Sequence, residues 1–72
     1  MIVKITQEML DATGEPIEQA SIFENIQEVA FLDLGGSIAV YNLERKQTLP
    51  KRFDSYLKAF RYIIAVQKET VL

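Results

Sequence analysis

The chain has 72 residues, 49% of them hydrophobic and 25% charged, with a net charge of −2 and neither cysteine nor histidine. That length makes one domain, residues 1–72, which buries roughly 60–65% of the surface its unfolded form exposes, and the composition excludes a disulfide framework, a Cys/His zinc site and a disordered chain. The longest unbroken apolar run, residues 62–66, is far short of the ~20 residues of a membrane span, and residues 1–5 are too short and too weakly basic for a signal peptide, so no membrane partner is expected and a cytoplasmic setting is.

Residues 2–6 read as a strand, because Ile2, Val3 and Ile5 are β-branched and suit a pleated backbone. Residues 6–16 admit two readings. Thr6 can cap a short helix through Gln7, Glu8, Met9, Leu10 and Ala12 that stops at Gly14, or the first strand continues to Leu10 and turns through Asp11 to Pro16 into Ile17. Residues 17–27 are divided in the same way. Ser21 and Glu24 have the spacing of a capping box, and Ile22, Phe23 and Ile26 fall near one helical face. A strand through Ile17, Gln19, Ser21 and Phe23 competes, although the adjacent pair Ile22-Phe23 breaks its alternation.

Residues 28–43 carry the clearest pattern. Two apolar runs flank Gly35-Gly36, which accept the positive φ a two-residue hairpin turn demands. The implied register pairs Leu34 with Ser37, Leu32 with Ala39 and Ala30 with Tyr41 on one face. Asp33–Ile38, Phe31–Val40 and Val29–Asn42 share the other. Both faces are largely apolar, so each needs a cover.

After a polar connector with the pair Arg45-Lys46, a helix is predicted from about residue 50 to 68, with Thr48 or Leu49 at its start and Pro50 in its first turn. At 100° per residue, Phe53, Tyr56, Leu57, Phe60, Ile63 and Ile64 gather in a stripe facing the core, opposite Lys51, Asp54, Lys58, Arg61, Ala65 and Lys68. Tyr62 and Val66, with Ala59 on their flank, form a second, smaller apolar strip on the outer face. The predicted architecture is α+β: a small antiparallel sheet centred on the hairpin (about 28–34 and 37–43), an N-terminal strand (about 2–6) beside an edge of it, and the packed C-terminal helix. Which hairpin face the helix covers stays open, as does the cover of the other face, either residues 1–26 or a second subunit.

Charge divides the chain. Residues 1–44 hold one cation against eight acids, −7, and residues 45–72 hold seven cations against two acids, +5. The halves can pack with complementary fields, or one of them can be a partner surface. Catalytic chemistry is poorly provided for. The commonest general base, the thiol nucleophile and the usual transition-metal ligands are missing. Asp11, Glu15 and Glu18 lack calcium-loop spacing, Ser55 and Lys58 have no oxyanion hole to serve, and Gly35-Gly36 lacks the ending of a phosphate loop. No enzyme activity, cofactor or metal is expected.

Three functions fit these residues. The first is a non-enzymatic protein-interaction module, self-associating as a dimer through Tyr62, Val66 and Ala59 and docking on a protein partner. The second is nucleic-acid binding along Arg45, Lys46, Lys51, Arg52, Lys58 and Arg61, with Tyr62 available to stack on a base. The third is an acidic mimic of nucleic acid built on the N-terminal half.

Overall fold

The computed structural model describes residues 1–26 and 28–71, with side chains through residue 66 apart from Gln27. Its elements are β1 (Ile2–Val3), α1 (Gln7–Thr13), β2 (Gln19–Ser21), β3 (Val29–Asp33), β4 (Ile38–Asn42), β5 (Gln47–Phe53) and α2 (Tyr56–Val71). The five strands form one antiparallel sheet in chain order, β1-β2-β3-β4-β5. The expected α+β class, with a packed C-terminal helix, is what the chain adopts.

The hairpin has the register that alternation implies, from Val29 opposite Asn42 to Asp33 opposite Ile38. Leu34 N–H donates to Ser37 O at 2.9 Å. Positive φ falls on Gly35, at 94°, and its N–H is held by Asp33 Oδ1 at 2.9 Å, a side-chain turn that Asp makes readily. A period of two then sends the hairpin's side chains to opposite covers. Phe31, Ile38 and Val40 join Ile26, Phe53, Ala59 and Ile63 beneath α2. Ala30, Leu32, Ala39 and Tyr41 join Met9 and Ala20 beneath α1. The seven-residue α1 packs over β4 and β5, and its Met9 is buried in one cluster with the small side chains Ala20, Ala30 and Ala39. Both apolar faces are therefore covered within the one chain.

Of the two readings for residues 6–16, the helix is the one formed. Thr6 Oγ1 accepts from Met9 N–H at 3.2 Å, and Gly14, at φ 68°, donates its N–H to Leu10 O at 2.9 Å. For residues 17–27 the strand reading holds at its centre. Ser21 lies opposite Phe31 as a member of β2, so the Ser21/Glu24 capping box is not used. The adjacent Ile22-Phe23 pair marks where the chain leaves the strand. Phe23 folds over the α2 side, 5.4 Å from the rings of both Phe31 and Phe60. The N-terminal strand pairs with β2, Ile2 opposite Ser21 and Val3 opposite Ala20, and not with the hairpin.

The expected helix start at residue 50 is corrected by a strand. Between the pairs Ala39–Arg52 and Tyr41–Thr48, β4 contributes Val40 alone while β5 contributes Leu49, Pro50 and Lys51. The result is a bulge, one of the few places in a sheet that tolerates a proline's missing N–H. Phe53 misled the periodicity because it is apolar and core-facing in either structure. The helix begins after Ser55, whose Oγ accepts from Lys58 N–H at 3.3 Å and whose carbonyl accepts from Ala59 N–H at 3.2 Å. The buried face is turned by about 50° at 100° per residue from the expected stripe, because Ala59 joins it and Leu57 and Ile64 leave it. Its centre is Ala59 and Ile63, flanked by half-buried Tyr56 and Phe60. Leu57 and Ile64, expected in the core, are instead 58% and 40% exposed. The expected outward placement of Lys68 lies outside the described side chains.

Candidate interaction surfaces

Helix α2 presents a different surface on each flank. On one side Leu57, Phe60 and Ile64 stand at i, i+3 and i+7, the spacing at which helices interlock. Phe60 is tied to the core through an edge-on contact with Phe23 and a second with Phe31 at 6.2 Å, so the row continues the core outward to two exposed aliphatic side chains. On the other side Tyr62, 39% exposed, lies 5.3 Å from Phe53. Lys51 Nζ sits 5.4 Å from the centroids of both rings, within cation–π range.

The expected oligomer contact of Tyr62, Val66 and Ala59 does not survive as a unit. Ala59 is fully buried against the sheet and is no surface residue. Tyr62 and Val66 are both partly exposed, but Tyr62 belongs to the Lys51–Phe53 group.

The six candidate nucleic-acid contacts divide as well. Lys51, Arg52, Lys58 and Arg61 line an open concavity of about 480 Å³ at the corner of β5 and α2, together with Phe53, Asp54 and Tyr62. Arg45 and Lys46 sit on the turn at the far end of β5, roughly 15–20 Å away along an extended strand. There Asn42 organises the backbone, accepting from Arg45 N–H through Oδ1 and from Lys46 N–H through its carbonyl, both at 2.8 Å. Two cations reach the acidic half: Lys46 Nζ lies 3.8 Å from Glu8, and Arg52 Nη2 lies 3.8 Å from Glu15. The first pair is largely exposed and the second partly so, and each adds a few tenths of a kcal/mol. They give the packing explanation of the charge asymmetry a physical form, and they engage two of the acids an acidic mimic would present. Lys58 Nζ pairs within the helix with Asp54 at 3.2 Å.

The polar side chains weighed for reactive chemistry have other partners. Ser55 Oγ caps α2 while the Lys58 ammonium turns to Asp54, so the two do not form a dyad. Asp11 Oδ1 accepts from Gln7 Nε2 and Glu15 faces Arg52. Among the described residues no three acidic side chains converge as metal ligands would, and no helix is long and apolar enough to cross a membrane. The Tyr41 phenol is raised above its ordinary 10.0, first by burial and then by the neighbouring charge of Glu8.

The four cations and Tyr62 of this corner are among the residues singled out from the sequence as candidate contacts, but Phe53 is not, because a helix through Lys51 and Phe53 hides the strand-to-helix corner that brings them to Tyr62. The signal that could have found it is Asp54-Ser55, a better helix start than Thr48 or Leu49, directly before the periodic run from Tyr56. No protein-family model matches the chain, and the comparisons with curated proteins and with solved structures found no match either.

Proposed function

We propose that the chain is a small non-enzymatic interaction domain that pairs with a second copy of itself through the Leu57–Phe60–Ile64 row of α2. The observation that carries this reading is the exposure of Leu57 and Ile64, 58% and 40%, on either side of a phenylalanine already anchored in the core. A two-fold axis makes such a row complementary to itself, since each subunit offers the same apolar knobs and holes. Arg61 and Lys58 lie outside the row, toward the rim, where like charges of two copies stay solvated. A chain this short, with no disulfide or Cys/His zinc site to staple it, also gains most from burying further apolar surface between subunits.

Size-exclusion chromatography with light scattering tests the reading directly. The chain of 8.2 kDa is expected at twice that mass at micromolar concentration. Leu57→Glu and Ile64→Glu are expected to return it to the single-chain mass with an unchanged far-ultraviolet circular dichroism spectrum. A wild-type chain that stays monomeric at millimolar concentration, or a dimer indifferent to both substitutions, rejects it.

A further inference from the structure

The concavity on the opposite flank of α2 has a chemistry that self-association does not use. We infer that it binds single-stranded nucleic acid, with phosphates on Lys51, Lys58 and Arg61 and an unstacked base on Tyr62. The lining residues Lys51, Arg52, Lys58 and Arg61 against Asp54 sum to +3, whereas the whole chain is −2, so the rest of the molecule is −5. A polyanion is drawn to this corner and repelled elsewhere. That field distinguishes a strand from a duplex. A duplex projects charge well beyond one helix face and meets the acidic surface within a Debye length of about 8–10 Å, while a few nucleotides of a flexible strand do not. Among the described residues Arg61 has no ion pair, and the Lys51 ammonium, over the Phe53 and Tyr62 rings at 5.4 Å, places charge beside a Tyr62 ring that is 39% exposed. Phosphate-pairing cations beside an exposed aromatic ring are the two parts that sequence-tolerant strand binding needs. An acidic peptide would use the cations and leave the ring unread.

Fluorescence anisotropy with a labelled oligothymidylate decamer at ~50 mM salt tests this. Binding in the micromolar range is expected, stronger than to an abasic decamer of equal charge, to a duplex or to polyglutamate. Tyr62→Leu is expected to weaken it about tenfold and Tyr62→Phe to leave it unchanged, because stacking needs the ring and not the hydroxyl. Arg61→Gln, at an exposed position that leaves the fold intact, is expected to lower the slope of log affinity against log salt by about one. No binding at 100 µM protein overturns the inference. So does equal affinity for the abasic strand, a stronger response to polyglutamate, or a salt slope that Arg61→Gln does not change. The dimer test reads Leu57 and Ile64 and this one reads Tyr62 and Arg61, so either can fail alone.

Discussion

Tyr56 sets its ring 6.4 Å from Phe31 and thereby buries a hydroxyl that has no hydrogen-bond partner among the described residues. A buried, unpaired donor loses its water without recompense, a loss of about 1–3 kcal/mol. Tyr56→Phe keeps the ring contact and removes the lost hydration, so it is expected to raise stability by about 1 kcal/mol in urea denaturation. Tyr41 shows burial acting on a titration instead. Its folded pKa is raised, so above pH 10 the unfolded chain releases the phenolic proton first and stability falls as pH rises; below pH 10 both states hold the proton and the group adds no pH dependence. Tyr41→Phe is accordingly expected to flatten the loss of unfolding free energy above pH 10, measured by chemical denaturation at successive pH values. Residues with a local task were readable from the sequence: Thr6 as a cap, Gly14 as a stop, Gly35 as a turn. Ala59 was not, because its burial depends on which helical face meets the sheet, and a methyl side chain carries little periodic signal of its own.

At the scale of elements, the hairpin was legible down to its register, since a two-residue turn and strict alternation leave no freedom in pairing. Helix α1 was legible as one of two options, and tertiary packing chose between them. Seven residues do not hold a helix in water; the Thr6 and Gly14 caps and the insertion of Met9 above Ala20 and Leu32 do. Thr6→Ala is expected to destabilise the fold by about 1 kcal/mol. Gly14→Ala, forced to φ 68°, is expected to destabilise it by about 1–2 kcal/mol. Thermal or urea unfolding checks both, and an unchanged midpoint for either removes that cap from the account. The boundary between β5 and α2 was illegible for a physical reason. Residues 48–53 satisfy a helical stripe and a bulged strand with the same apolar positions, and Pro50 is admissible in the first turn of one and in the bulge of the other. That boundary brings Lys51 and Phe53 to Tyr62, while the exposure of Leu57 and Ile64 follows from the face of α2 that meets the sheet, which periodicity alone did not single out.

Across the whole molecule, the opposite charges of the two halves meet partly within the fold, through Glu8–Lys46 and Glu15–Arg52, while of the other cations at the β5–α2 corner Lys58 pairs with Asp54 on its own helix and Lys51 lies over the Phe53 and Tyr62 rings. Each strand pairs only with its neighbours in sequence, and the two flanks of α2 differ in chemistry, apolar on one and basic–aromatic on the other. The margins of the sheet bear on the size any assembly can reach. An open margin offers unpaired N–H and C=O groups to strands of other molecules, and a long straight one seeds fibrils. Here one margin is β1, two residues long, and the other is β5, kinked by its bulge and deprived of one donor at Pro50. Neither is a long, straight template for adding strands from other molecules, so the sheet margins themselves do not favour growth into a fibre.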